Sequence, residues 1–310
     1  MKTTQILFLS AASLLVLAGC SNNKKGGEPV AEGPEQFTLT VDTDSIIRFT
    51  LDADSLTIDW GDGTTETYAP CGGRSVAHTY ETFAAHTVTA LTKNLTSLEI
   101  NGADFSAPGS RVKPCTLDVS HCPALVSLLC NHILLATGLD VSKNTKLVSL
   151  NCVNTQLTGL DVSKNTELKF LDCVLNSLTD LDVSENIILR ELYCNSNELT
   201  RLDVSENDSL TRLGCSNNHL EKLDVSHSLN LSSLGCNNNQ LTHLKLKKGI
   251  KLTELDCSNN RLSAKTINSV LKDLPPLEEY AADNNLINIA GNPCDGYDAS
   301  IAKKKGWLFE

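Results

Sequence analysis

The chain has one methionine, two tryptophans and 5% aromatic residues among 310. That shortage excludes an ordinary mixed core built on large rings and thioethers. Basic charge is also scarce, with 26 Lys and Arg against 37 Asp and Glu and a net charge of −11. No basic stripe is left for a phosphate backbone, so nucleic acid is excluded as a partner. Long apolar runs are missing as well. The one extended run, Ile6 to Ala18, falls short of the ~20 residues a helix needs to cross a bilayer. Nucleophile elbows, phosphate loops, HExxH and Cys–His pairs are lacking, and Asp118, Ser120 and His121 read as turn residues, so neither an enzyme nor a cofactor is expected. What the chain holds in excess is 49 Leu, 27 Asn and 12 Cys.

The apolar run follows Lys2 and ends in Leu17-Ala18-Gly19-Cys20, the charged start, apolar middle and small-residue exit of a secretory signal peptide over residues 1–20. Its last four residues resemble the lipobox of bacterial lipoproteins. That resemblance implies lipidation of Cys20, which then begins the mature chain and holds it to a membrane of the bacterial cell envelope, the outer membrane by expectation. Residues 21–35 are Gly, Pro and charged without periodicity, and read as a flexible tether.

From 36 to 94 short runs alternate apolar and polar residues, as in Phe37 to Val41, Ile46 to Leu51, Leu56 to Trp60 and His86 to Leu91. This predicts a small antiparallel β domain. The string Asp59-Trp60-Gly61-Asp62-Gly63-Thr64, followed by His78-Thr79-Tyr80 and His86-Thr87-Val88-Thr89, resembles PKD-type immunoglobulin-like domains. The resemblance implies a β-sandwich acting as spacer or contact module, with His78 and His86 structural. Asp52, Asp54, Asp59 and Asp62 lack the spacing and the closing Glu of an EF-hand, and no calcium loop is expected there.

A strict repeat occupies 95–287. Cys130, Cys152, Cys173, Cys194, Cys215, Cys236 and Cys257 are spaced 22, 21, 21, 21, 21 and 21, and Asp118, Asp140, Asp161, Asp182, Asp203 and Asp224 keep the same step. Each unit contains LxxLxCxxNxL, which resembles the leucine-rich-repeat consensus with Cys in place of one core Leu. One such coil cannot bury its own apolar face, whereas coils stacked at about 4.8 Å share a continuous core and a parallel sheet. The predicted fold is therefore mainly β: an immunoglobulin-like (PKD-type) sandwich, a leucine-rich-repeat solenoid of 21-residue coils, and a C-terminal cap at 288–310 with one short helix. The second half, LxxLDVSxN, nearly repeats the first and predicts two extended segments per coil with little helix on the convex side.

In this register the seven cysteines form an inward ladder, Asn176, Asn197, Asn218, Asn239 and Asn260 form a second one, and Ile133 and Thr155 interrupt the asparagines. Stacked thiols form a line and do not converge on one ion, so no metal is expected. Asp182, Asp203 and Asp224 are expected on an outer edge, satisfied by their own turns. Cys71, Cys115, Cys122 and Cys294 lie outside the ladder, with Cys115–Cys122 the pair whose bridge would close a short loop. Ser263 to Leu274 is the helix candidate and Leu277 to Ile287 a last coil with Ala282 at the Cys position. The tail from Asn292-Pro293-Cys294-Asp295 to Trp307 resembles the closing element of secreted bacterial leucine-rich-repeat proteins, which implies that Trp307 covers the open end.

The outward positions beside the cysteines supply the candidate binding surface: Asn151, Asp172, Tyr193, Asn195, Ser216, Asn237 and Asp256. Taken with the architecture, which resembles internalin-like repeat proteins, this implies a monomeric, non-enzymatic protein that binds a protein partner or mediates adhesion. Carbohydrate capture, suggested by the Asn and Asp content, and a structural spacer are the alternatives.

Overall fold

The computed structural model describes residues 35–309 apart from 44–45, 70, 83, 102–114, 136 and 278–285. Cys20, most of the tether and Ala282 lie outside the described residues. Seven strands form the N-terminal β domain: β1 (Glu35–Thr43), β2 (Ile46–Ala53), β3 (Ser55–Asp59), β4 (Thr65–Tyr68), β5 (Cys71–Thr79), β6 (Ala84–Lys93) and β7 (Ser97–Asn101). Their alternation buries one face of each strand, as with Ile47, Phe49 and Leu51 on β2. At the centre the Phe49 ring stacks on Trp60 at 5.8 Å and receives the edge of Phe37 at 5.6 Å.

The domain is joined to the repeats by hydrogen bonds as well as by the chain. One sheet runs β4-β3-β6-β1 and ends on β8 (Thr116–His121), the LDVS segment of the first coil. The other passes from β5-β2-β7 directly into β9 (Ser127–Asn131), where Leu98 stands opposite Leu128 in parallel register. Both rows of extended segments in the solenoid therefore begin on a paired strand. The end that would otherwise expose open backbone and the Leu row is covered.

From β9 the parallel sheet continues through β10 (Ser149–Asn151), β11 (Phe170–Asp172), β12 (Glu191–Tyr193) and β13 (Arg212–Gly214). After β14 (Lys222–Asp224) on the other row come β15 (Ser233–Gly235) and, again on the other row, β16 (His243–Lys245). The main sheet adds β15 and then β17 (Glu254–Asp256). Leu150, Leu171, Leu192, Leu213, Leu234 and Leu255 face one another without a shift. A slip of one residue would turn every Leu and Cys outward, and each buried Leu contributes ~1.5–3 kcal/mol against that slip.

Turn backbone in a solenoid has no strand partner, and two asparagine ladders supply one. Asn197 Nδ2 donates to the carbonyls of Cys173 (3.0 Å) and Cys194 (3.1 Å), while its Oδ1 accepts from Leu178 N at 3.0 Å. Asn176, Asn218, Asn239 and Asn260 do the same in their coils. The second ladder, not foreseen from the repeat, is the Asn of DVSxN. Asn165 Nδ2 donates to Val141 O (3.0 Å) and Asn144 O (2.9 Å), and Asn144, Asn186 and Asn207 repeat the pattern. Ser228 ends it with a single hydroxyl bond to Asn207 O.

The C-terminal cap opens with α1 (Ala264–Asp273), started by Ser263, whose hydroxyl accepts from Thr266 N, and followed by Pro275. The last coil is longer than the sequence register implies. On β18 (Leu286–Asn288) Ile287 stands opposite Leu255, so buried Ile289, and not Ala282, takes the position of Cys257. The helix occupies the arc that other coils cross in a few residues, which lengthens the step from 21 to 32. Asn292 keeps the ladder across that longer step, donating to Cys257 O and Ile289 O and accepting from Leu262 N, each at 2.9 Å. A second short helix, α2 (Ser300–Lys303), and β19 (Leu308–Phe309) complete the cap. Trp307 is buried there, its Nε1 donating to Pro275 O at 3.0 Å.

Candidate binding face

The seven ladder cysteines are fully buried and none is paired. Burial pushes the thiols of Cys130 and Cys194 up to about 12, and raises Cys152, Cys173, Cys215, Cys236 and Cys257 as well. Held protonated, they act as small apolar side chains. Cys115 and Cys122, the pair whose bridge would close a short loop, are also free. They stand at opposite ends of the extended β8, ~20 Å apart at about 3.3 Å per residue, whereas a disulfide needs Cα atoms within about 7 Å. Cys122 instead donates its thiol to Gln36 O at 3.2 Å.

Along the outer edge each LDVS aspartate is taken up by its own turn. Asp182 Oδ1 accepts from Ser184 N at 2.9 Å and Asp203 Oδ1 from Ser205 N at 2.9 Å, with Asp118, Asp140, Asp161 and Asp224 alike. The backbone N–H and then the hydroxyl of Ser184 hold the Asp182 carboxyl below the usual carboxylate range, and Ser205 does the same for Asp203. At Asp224 burial opposes the shift, but hydrogen bonds from Lys245 and Ser226 outweigh it and bring the carboxyl to about 2.

On the sheet face the candidate residues are placed in one band but mostly not presented to solvent. Asn151, Asp172, Tyr193, Asn195, Ser216 and Asp256 are all less than a tenth exposed, and only Asn237 is partly open. Neighbouring strands bring side chains of successive coils within contact of one another, and several of the polar groups are taken up by a neighbouring coil or by their own turn, whereas Asn151 Oδ1 is buried without a hydrogen-bond partner among the described residues. Asn195 Oδ1 accepts from Ser216 N at 2.8 Å, the Ser216 hydroxyl contacts Asn237 Oδ1, and Asp256 Oδ1 accepts from Ser258 N at 3.0 Å. Asp172 Oδ1 accepts from Val174 N at 3.2 Å. These residues form the floor of the face.

What stands above the floor is the position before each strand Leu and the turn after each Cys. Phe170 on β11 is partly exposed, its ring 5.9 Å from that of Tyr193. Val148 and Val174 are half-buried nearby in sequence register, Val126 is exposed, and Leu175 is half exposed. Leu175 also has a left-handed backbone, φ 59°, at the turn position where other coils carry His132, Asn154, Ser196, Asn217, Asn238 and Asn259. Past Tyr193 the character changes. Gly214 has no room for a Cβ, which would lie 2.8 Å from Asn195 Nδ2 and 3.1 Å from the Tyr193 ring, so both side chains lie across it. Gly235, Ser232 and Ser233 follow, with Ser233 Oγ bonded to Glu254 at 2.8 Å. The partly exposed apolar side chains lie in the early coils, among Ser149 and Lys169, and the late coils carry small, polar and charged ones, Arg212 and Glu254 included. The residue before the strand Leu was legible in the motif as an outward position; its importance became visible only when the positions beside Cys proved covered.

The fold defined by these coils is a leucine-rich-repeat solenoid carrying an N-terminal β domain. Among solved structures the chain is similar to the functional domain of InlJ from Listeria monocytogenes, which includes a cysteine ladder, at 31% identity and a TM-score of 0.50 over 69% of this chain. It spans 49% of that structure's length. It is similar in fold to the leucine-rich repeat domain of APL1B, at 17% identity and a TM-score of 0.50 over 61% of this chain and 56% of that one. No protein-family model and no curated protein matches the sequence.

Proposed function

We propose that this chain is a non-enzymatic bacterial envelope protein, lipid-anchored through Cys20, whose sheet face binds a protein partner through the apolar patch of the early coils. The observation that carries the reading is Leu175. A left-handed backbone costs an L-residue roughly 1–2 kcal/mol, and half exposed, the side chain returns little of that through core burial. An exposed apolar residue in a strained turn, on the same coil as the partly exposed Phe170 ring, is accounted for by a contact outside the molecule. The resemblance to internalin-like repeat proteins supports a protein ligand and adhesion. The N-terminal β domain, read as PKD-type, serves as cap and spacer above the tether.

The test is to probe an array of displayed extracellular proteins and a glycan array with the chain from residue 21 onward, alongside Phe170→Ala and Leu175→Asp. Binding to a protein that falls at least tenfold in both variants is the expected result. Retention by glycans that both variants bind equally would transfer the function to carbohydrate capture on the polar half of the face.

A further inference from the structure

The C-terminal cap carries a charge pattern unlike the rest of this acidic chain. Between Lys245 and Asp273 seven basic residues stand against three acidic ones. Part of this stretch, the segment Pro275 to Leu277 after α1 and Lys305 line an open groove of about 860 Å³, within the ~300–1,000 Å³ of small-molecule sites. Its solvent-reaching apolar lining is Pro275, Pro276 and Leu277, lying over the buried Ile250, Leu252 and Leu274. Its rim carries four lysines, Lys248, Lys251, Lys272 and Lys305, against a single carboxylate, Asp273.

The four ammonium groups differ in what already holds them. Lys305 Nζ donates to the carbonyls of Leu271 (3.1 Å), Lys272 (2.6 Å) and Leu274 (2.6 Å), capping the end of α1. Its three donors are used but its charge stays in the groove, and burial together with nearby Lys248 lowers its proton affinity while Asp273 raises it. Lys251 donates to Asn230 Oδ1 at 2.8 Å. Lys248 and Lys272 are exposed at the rim. Three positive charges in excess around an apolar lining repel one another unless an anion joins them.

We infer that this groove binds an amphiphilic anion, a phosphate or carboxylate headgroup bearing an alkyl chain, with Lys248 and Lys272 on the headgroup and the chain along Pro276 and Leu277. The site lies at the end of the solenoid and is separate from the early-coil patch on the sheet face. The same chemistry belongs to an anionic membrane lipid and to a free alkyl phosphate or fatty acid, and the experiment distinguishes them.

Isothermal titration of the chain from residue 21 onward, which contains every described element, is run with decyl phosphate below its micelle concentration, inorganic phosphate and decyl maltoside. A parallel arm measures co-sedimentation with phosphatidylcholine vesicles, with and without phosphatidylglycerol. Decyl phosphate is expected to bind one to one, more tightly than hexyl phosphate by about three- to fourfold per added methylene that is buried, and at least tenfold more weakly in Lys248→Gln/Lys272→Gln. Both replaced side chains are solvent-facing, so that variant is expected to keep the parent melting temperature. Vesicle binding that needs phosphatidylglycerol and both lysines identifies a membrane lipid as the source; saturable decyl phosphate binding without vesicle binding identifies a diffusible amphiphile. The inference is overturned if decyl phosphate gives no saturable binding, if inorganic phosphate or decyl maltoside binds as tightly, or if the double variant binds like the parent.

Discussion

Asn176 reaches back one coil to complete Thr155: its Oδ1 lies 3.1 Å from Thr155 N, 3.0 Å from Thr155 Oγ1 and 2.9 Å from Leu157 N. The hydroxyl also lies 2.9 Å from Cys152 O, so a threonine stands where later coils have asparagine and still keeps the turn paired. Both residues are buried. Thr155→Val keeps the shape and removes the hydroxyl, and a loss of ~1–3 kcal/mol is expected in denaturant unfolding. Thr155→Ser, which keeps the hydroxyl and loses a methyl group, should lose under ~1 kcal/mol. Equal losses in the two would show that packing, and not the shared hydrogen-bond node, sets the cost.

For the cysteine ladder, slow alkylation is expected in the native protein at pH 8 and rapid reaction of all seven after unfolding, read by mass spectrometry. The cause is burial, which keeps Cys130 and Cys194 protonated up to about 12. Cys194→Asp places a carboxylate at a fully buried position and is expected to cost several kcal/mol. Cys194→Ala should cost far less.

The aspartate row gives a pH dependence with a definite sign. Asp140, Asp161, Asp182 and Asp203 are held below the ordinary carboxylate value of about 3.9 by their turn donors. Their contribution to stability is therefore complete above about pH 4 and is lost as the pH falls through their folded values, near 2 for Asp224. Thermal melts from pH 5 to pH 2 should show that decline, and Asp203→Asn should flatten part of it. Calcium or a chelator should leave the melting temperature at pH 7 unchanged, because each Oδ1 is already occupied by a turn N–H. A calcium-dependent rise abolished by Asp203→Asn would make this edge a cation site.

Gly61 turns with φ +77°, and a Cβ there would stand 2.6 Å from Thr87 O. Gly61→Ala meets both a backbone clash and ~1–3 kcal/mol of conformational strain. Because β7 and β1 pair with the first coil, the damage should not stay local: a lower melting temperature for the whole cooperative transition is expected, together with loss of the near-ultraviolet dichroism of Trp60. A solenoid that melts unchanged while only the Trp60 signal is lost would show that the β domain unfolds on its own.

The sequence by itself determined the coil. Leu147, Leu150, Cys152, Leu157 and Val162 recur at a fixed step, and no stacking other than the observed one buries them all, so inward positions, the first asparagine ladder and the turn-bound aspartates were legible residue by residue. The helix start at Ser263 was legible for local reasons, and the burial of Trp307 from the resemblance of the tail to the closing element of secreted leucine-rich-repeat proteins. What only the tertiary structure decided concerns contacts between coils and across the ends. Asn151, Asp172 and Tyr193 point outward by strand alternation and are nevertheless covered, because coverage depends on the side chains of neighbouring coils. The second asparagine ladder depends on where the Nδ2 of one coil meets the carbonyls of the coil before it. The last coil departs from the repeat for a similar reason: α1 has to be spanned before Ile287 can stand opposite Leu255, and a period read along the chain carries no measure of that arc. Periodicity specifies which side of a strand faces the core; how much of the other side remains open is set by packing between segments that lie 21 or more residues apart.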